Sequence, residues 1–335
     1  MSLAQSVLKG DRLALARLLT EIENETSAGQ NALNTLFKRA GQAHLIGVTG
    51  APGTGKSSLV NQLTLHFRKE DPPRKVAILA VDPSSPFTGG AVLGDRIRMR
   101  DLAGDAGVFV RSMATRGSLG GLAATTAAMA QVLDAAGFEI IFIETVGAGQ
   151  SEVEIAKLAH TVLVLDVPGL GDDVQAIKAG ILEIADILVV NKADRPGVEA
   201  AERALRGMLK LGHPVRLVTH HGGAMKGKVS DAELASESEW IPPIRRTVAT
   251  EGTGIAELSA AIAGHRLHLE TTGGWQRRER SRLQSEVEVL LRDSLMKNWR
   301  KSVGNKSFNR TIDQLVEREI SPRQAVNALL NGGVQ

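Results

Sequence analysis

From His44 to about Val248, short apolar runs alternate with helical stretches: HLIGVTG, KVAILAVD, FEIIFIET, TVLVLDVPG, DILVVNKAD and VRLVT. Near-continuous apolar strands separated by helices are buried on both faces, so this pattern predicts a mainly parallel sheet covered by helices. Residues 1–42 read as helical. Asp11 stands where it can cap a helix with Leu15, Leu18, Leu19 and Ile22 on one face, and a second helix carries Leu33, Leu36 and Phe37. After TTGGW (271–275) the period is purely helical. Leu283, Val287, Leu290, Leu291, Leu295 and Trp299 form one stripe, and Phe308, Ile312, Leu315 and Val316 form another. SPRQAVNALL (321–330) then opens a helix with Ser321 as cap and Pro322 in its first turn. The expected organisation is a helical extension over 1–42, an α/β domain over 43–270 and a helical arm over 271–335.

One strand ends in a charge. FEIIFI (138–143) delivers Glu144 to the edge where a doubly wound sheet binds its ligand. A lone carboxylate there is costly unless a cation or a set of donors meets it.

Composition narrows the classes. The chain has 335 residues, 43% hydrophobic and 23% charged, which suits a globular protein with a full core. Aromatics make up 3%, with no Tyr, and the net charge is +3, so a stacking nucleic-acid surface is disfavoured. The one dense basic run, WQRRERSR (275–282), carries a Glu and reads as a solvated helix face. No cysteine is present, which excludes disulfides, thiolate metal sites and a Cys nucleophile. Lys9, Asp11 and Arg12 break any signal-peptide core, and no apolar run approaches about 18 residues. The expected location is the cytoplasm, with no membrane and no nucleic acid as partner. The eight histidines show no metal-ligand spacing.

Two loops at strand ends carry specific chemistry. GAPGTGKS (50–57) fits G-x-x-x-x-G-K-[ST] between a strand and a helix. Gly50, Gly53 and Gly55 let the backbone of Gly50, Ala51, Pro52, Gly53, Thr54, Gly55, Lys56, Ser57 and Ser58 wrap an anion at a helix N-terminus. Lys56 should reach the β- and γ-phosphates, and the Ser57 hydroxyl should ligate Mg²⁺. NKAD (191–194) follows the strand DILVV. A carboxylate such as Asp194 pairs with guanine's ring N–H and exocyclic amine and is left unpaired by adenine, which discriminates strongly. Asn191 should buttress the loop and meet the base edge, and the Lys192 stem should cover the base. The nucleotide is GTP or GDP.

Six segments together carry a resemblance: GAPGTGKSSLV, AVDPSSPFTGGAVLGDRIRM, SMATRGSLGGLA, ETVGAGQSE, PGLGDDVQAIKAG and NKAD. From about residue 5 to residue 330 the chain resembles the MeaB/ArgK GTPases, chaperones of adenosylcobalamin-dependent methylmalonyl-CoA mutase and related acyl-CoA mutases. The resemblance implies a P-loop NTPase of the SIMIBI type with helical N- and C-terminal extensions. It implies a homodimer, which the apolar stripes of the arm also favour. Glu144 then stands in place of the Asp of a D-x-x-G switch, with Gly147 as its glycine. Glu144, Asp82 and Asp95 surround Mg²⁺ together with Ser57, some of them through water. Gln150 and Asp82 are alternatives for orienting the hydrolytic water, and Arg98 and Arg116 could supply positive charge. The loop with Asp172 and Lys178 is implied as a further switch, although by its residues alone it reads as an ordinary strand-to-helix connection. Val248, Ala249 and Thr250 supply the last guanine loop through the Ala249 N–H, with Val248 where the family usually has Ser.

The implied function is a GTP-hydrolysing chaperone that gates adenosylcobalamin delivery to a B12-dependent acyl-CoA mutase and protects or reactivates it. A nickel-type metal-insertion GTPase is the first alternative, and the missing cysteines count against it. A non-enzymatic interaction protein that retains a P-loop is disfavoured by the intact Lys56, guanine motif and acidic set. An RNA-associated GTPase is disfavoured by charge and aromatic content.

Overall fold

The computed structural model describes residues 2–82, 99–102, 104–114, 119–145, 157–169, 184–212 and 240–330. The described strands are β1 (His44–Gly50), β2 (Val76–Asp82), β3 (Val108–Ala114), β4 (Ile140–Glu144), β5 (Thr161–Asp166), β6 (Ile187–Asn191) and β7 (Ile244–Thr247). They form one sheet in the order β3-β2-β4-β1-β5-β6-β7, and every pairing between these strands is parallel. Alternate residues of each strand enter different cores, which is why the strands read as unbroken apolar runs. On β1, for example, Leu45 faces one core and Ile46 and Val48 the other.

Helices α4 (Lys56–Arg68) and α7 (Ile255–Thr271) cover one face through Leu59, Leu63, Leu258 and Ile262. The opposite face is covered by α5 (Leu119–Ala135), by α6 (Val198–Gly212) and by the N-terminal helices α1 (Leu3–Leu8), α2 (Arg12–Glu23) and α3 (Ser27–Leu36). Asp11 caps α2 as expected, its Oδ1 accepting from the N–H groups of Leu13 (2.9 Å) and Ala14 (3.1 Å). Leu15, Leu18, Leu19 and Ile22 are all buried. The extension is also fastened to the sheet's edge. Arg12 donates to the carbonyls of Ala106 and Val108, each at 2.7 Å, and Arg111 of β3 pairs with Glu23.

Residues divide into two compact units, Met1–Arg282 and Leu283–Gln335. Helix α8 (Gly274–Val316) is broken at Gly304, whose φ of 71° and ψ of 156° are not helical, and α9 (Pro322–Leu330) follows. Ser321 caps α9 as expected, and Gln324 makes the cap reciprocal. In the C-terminal unit Trp299 donates from Nε1 to the Leu329 carbonyl, while Val287, Leu290, Leu291 and Leu295 lie exposed. Among the described residues no helix is long and apolar enough to cross a membrane.

Two strands escaped the sequence reading. β3 contains Arg111 and Ser112, and β7 is IRRT, so neither shows a continuous apolar run. Both are outermost in the described sheet, where charged side chains reach solvent or ion-pair partners. The expected strand VRLVT (215–219) lies outside the described residues.

A polar network fills the edge where the strands begin. Asp186, just before β6, accepts two hydrogen bonds from Arg278, both 2.7 Å, and one from the Val162 N–H at 2.9 Å. Its backbone carbonyl accepts from Trp240 Nε1 at 2.8 Å. His160, just before β5, stacks on Trp275 with ring centroids 3.8 Å apart. Its Nδ1 accepts from the Leu45 N–H at 3.0 Å, so Nε2 carries the proton shared with Glu279 Oε1 at 2.7 Å. The imidazole is therefore neutral despite its ion-pair geometry, in keeping with burial lowering its pKa against the pull of Glu279. Burial, helped by the charge of Arg266, holds His44 well below the usual imidazole range. Burial would raise Asp186, but Arg278 overrides it and keeps the carboxylate below its usual range. Burial likewise pushes Glu279 up, and hydrogen bonds from His160 and Arg282 overcome it, leaving the carboxyl at about 2.

Acid should therefore weaken the fold in two stages. The buried imidazoles take up protons more readily in the unfolded chain, so their contribution is complete above about pH 6.5 and falls as pH drops below it. The Glu279 contribution is present above the ordinary glutamate value of 4.5 and is lost as pH falls toward about 2. Urea denaturation from about pH 8 to about pH 3 should show both stages, and Glu279→Gln should shrink the lower one, to which Asp186 also contributes.

Candidate functional site

At the opposite edge, the strand ends deliver the sequence motifs to one place. The P-loop leaves β1 at Gly50, which pairs in register with Leu165 of β5. Gly50 has φ 140°, and a Cβ there would run into the Leu165 carbonyl oxygen, so only glycine fits this close approach. Gly55 (φ 92°) stands at the N-cap of α4, and a Cβ on it would lie 2.5 Å from Asn191 Nδ2. No side chain caps α4. The first turn of α4 therefore sets the positive end of the helix dipole where an anion is favoured.

Lys56 is buried, and its Nζ donates to the carbonyls of Gly50 (2.7 Å) and Ala51 (3.1 Å), which folds the ammonium over the loop. Thr54 closes the same turn, its Oγ1 donating to Ala51 O at 2.9 Å. Beside them Ser57 Oγ donates to Glu144 Oε1 at 2.6 Å. Glu144 lies at the end of β4, next to β1, and is 4% exposed. Below it Thr145 Oγ1 donates to Thr49 Oγ1 at 3.2 Å. A serine hydroxyl and a carboxylate at one helix start are the hard oxygen donors that suit Mg²⁺, which takes one or two carboxylates and keeps several waters.

Asn191 occupies the centre of the arrangement. Its Nδ2 donates to Thr54 O at 2.8 Å, and its Oδ1 accepts from Thr247 Oγ1 (3.0 Å) and from the Ala249 N–H (3.2 Å). One buried side chain thereby joins the P-loop to β7 and the loop after it. Lys192, at φ 56°, reaches across to donate from Nζ to Gly53 O at 2.7 Å. Ala193 N donates to Thr247 O at 3.0 Å. These bonds hold the NKAD turn open, with Asp194 exposed at its tip. Val248 pairs with Thr253, and Gly254 (φ 76°) passes so close to the Arg246 carbonyl that a Cβ would collide with it. Val248 and Ala249 are buried, and Thr250 is exposed.

The structure thus brings together Gly50 to Ser58, Glu144, Asn191, Lys192, Asp194 and Val248 to Thr250. Asp82 ends β2, paired with Ala114, and its side chain lies outside the described residues. So do Asp95, Gly147 and Gln150, as well as Arg98, Arg116, Asp172 and Lys178. Among the described residues no three His, Asp or Glu side chains form a metal cluster. Thr247 was not singled out from the sequence, because its role appears only once β7 lies beside β6.

Comparison with known proteins agrees with this geometry. The family described as Methylmalonyl Co-A mutase-associated GTPase MeaB matches residues 15–303. A relative from Pyrococcus abyssi is 42% identical over 328 residues, covering 98% of this chain and 95% of its own. GTPase ArgK of Escherichia coli is 32% identical over 339 residues, covering 98% and 96%. The mitochondrial methylmalonic aciduria type A homolog of Caenorhabditis elegans is 34% identical over 252 residues, covering 70% and 63%. The crystal structure of a LAO/AO transport system kinase aligns with a TM-score of 0.69 at 26% identity, over 98% of this chain and 95% of that one.

Asn191→Ala should be among the most damaging single changes at this edge. It strands Thr54 O, Thr247 Oγ1 and the Ala249 N–H together, which should lower stability by about 2–4 kcal/mol. Lys192→Ala, at a partly exposed contact, should cost less than about 1 kcal/mol. Urea midpoints of the two variants check both values.

Proposed function

The chain belongs to the family of methylmalonyl-CoA mutase-associated GTPases MeaB, and on that premise we propose that it binds and hydrolyses GTP to control a B12-dependent acyl-CoA mutase. The observation that carries the nucleotide part is the Asn191 tie, which holds a phosphate-binding loop and a guanine-type NKAD turn at one sheet edge. The P-loop N–H groups and Lys56 receive the β- and γ-phosphates, Lys56 exchanging its loop carbonyls for phosphate oxygens. The Asp194 carboxylate accepts from guanine, the Lys192 stem lies along the base, and the N–H of Ala249, exchanging Asn191 Oδ1 for the base, completes the base loop. Mg²⁺, when bound, supplies Lewis-acid stabilisation of the phosphate charge. Ser57 and Glu144 hold it, with Asp82 and Asp95 as the further carboxylates. Gln150 or Asp82 orients the attacking water. The fold has little covalent chemistry to do, so its work is placement and charge stabilisation.

The mutase partner rests on the family and on the methylmalonic aciduria type A homolog. In this reading the GTPase gates adenosylcobalamin delivery and protects or reactivates the mutase in the cytoplasm. The C-terminal arm is the dimer contact: Val287 is 62% exposed and Leu295 60%, and a second copy would bury both.

Calorimetry should give tighter binding of GDP and GTP than of ATP, and equal affinities would overturn the guanine assignment. Asp194→Asn should shift preference toward xanthine nucleotides, since the amide offers a donor to the 2-oxo group. Hydrolysis should be slow, need Mg²⁺ and drop by at least about a hundredfold in Lys56→Ala. Glu144→Ala should weaken the Mg²⁺ dependence more than it weakens GDP binding. Mutase capture with and without a non-hydrolysable GTP analogue tests the partner.

The arm has its own test. Deleting residues 276–335 removes the grip of Arg278 and Glu279 as well as the arm, so the point variants Leu290→Glu and Leu295→Glu are cleaner. Light scattering should show monomers that still bind GDP.

A further inference from the structure

The network where the strands begin superficially has the arrangement of a nucleophilic relay. Thr161 Oγ1 lies 2.9 Å from His265 Nδ1 and 2.7 Å from His44 Nε2, and His265 Nε2 lies 3.4 Å from Asp186 Oδ1. Thr161 is 0% exposed, however, so no substrate reaches it. What the network does reach is the frame of the nucleotide site.

Arg278 and Glu279 are neighbours near the start of α8. Arg278 grips the Asp186 carboxylate with both terminal nitrogens and donates to the His160 carbonyl at 2.6 Å. Glu279 holds the His160 ring. His160 directly precedes β5 and Asp186 directly precedes β6, and the two starts are cross-linked, since Asp186 N donates to Val162 O at 3.0 Å. Two adjacent side chains therefore fix where β5 and β6 begin.

The far ends of the same strands define the nucleotide pocket. β6 is five residues long and buried throughout, spans about 16 Å, and ends at Asn191. β5 pairs in register with the end of β1, Leu165 opposite Gly50 with no room there for a Cβ, so a shift of β5 along its axis would displace the start of the P-loop. A fully buried parallel strand moves along its axis as a unit, because sliding breaks its hydrogen bonds on both sides.

We propose that Arg278 and Glu279 are positioning residues for the nucleotide site, setting the axial register of β5 and β6 and hence the distance between the P-loop and the guanine turn. The inference rests on the reading of that site as a guanine-nucleotide pocket.

The test is GDP affinity by calorimetry on the full chain, at a temperature well below each variant's melting midpoint. Arg278→Met should weaken GDP on the order of tenfold, within the usual range of coupling between distant sites. Glu279→Gln, which keeps an acceptor for His160, should weaken it only about threefold. Arg278→Lys, which restores the charge without the two-pronged grip, should fall between parent and Arg278→Met. The double variant Asp186→Asn/Arg278→Met removes the uncompensated buried charge. It should regain melting temperature but keep the affinity loss, a pattern that a purely stabilising role would not give. Should Arg278→Met fail to fold, the lysine and double variants carry the comparison. Variants within twofold of a GDP-binding parent, or an affinity that recovers in step with melting temperature, would overturn the positioning role alone. A parent without guanine-nucleotide affinity would overturn the site reading beneath it.

Discussion

A parallel sheet buried on both faces leaves its chemistry only one kind of place to go, and the molecule is arranged around that constraint. Side chains of β1, β2, β4, β5 and β6 are committed to cores above and below. Polar groups can therefore gather only where strands start or stop. At the stopping edge the backbone turns outward, and Lys56, Ser57, Glu144 and Asn191 converge on the P-loop. At the starting edge, carboxylates and guanidinium groups meet and cancel.

The two edges differ in what burial does to charge. Near the strand starts, every ionised group is answered: Asp186 by Arg278, and Glu279 by Arg282 and a neutral His160. Breaking one member leaves a buried charge exposed to the full desolvation penalty, which makes such an edge rigid. At the strand ends the Lys56 ammonium donates to two carbonyls of its own loop. An anion that enters would meet it with opposite charge, a stronger contact than a neutral carbonyl gives.

Most of the frame was legible in the sequence because burial and turn chemistry leave local signatures. HLIGVTG became β1 residue for residue, and the longer runs TVLVLDVPG and DILVVNKAD contain β5 and β6. Asp11 and Ser321 read as helix caps because their spacing to the first turn is a backbone property. β3 and β7 were missed for the reason that makes them edges: solvent on one side tolerates Arg111, Arg245 and Arg246. Lys56 and Ser57 were legible because P-loop spacing encodes them, and Glu144 through its place at a strand end and the family resemblance. The role of Thr247, and the grip of Arg278 on Asp186, were not. Those contacts join positions 56 and 92 residues apart, and no local pattern marks them.

The chain has three tryptophans and no tyrosine, so its intrinsic emission comes from Trp240, Trp275 and Trp299 alone. Trp275 lies flat against the His160 ring, and Trp240 is hydrogen-bonded to Asp186 and tilted against His265. Two of the three fluorophores are thus wired into the edge farthest along the strands from the P-loop. Emission changes on ligand addition would carry news of the sheet's opposite rim rather than direct quenching by a base, and an imidazolium forming at His160 would darken Trp275 first.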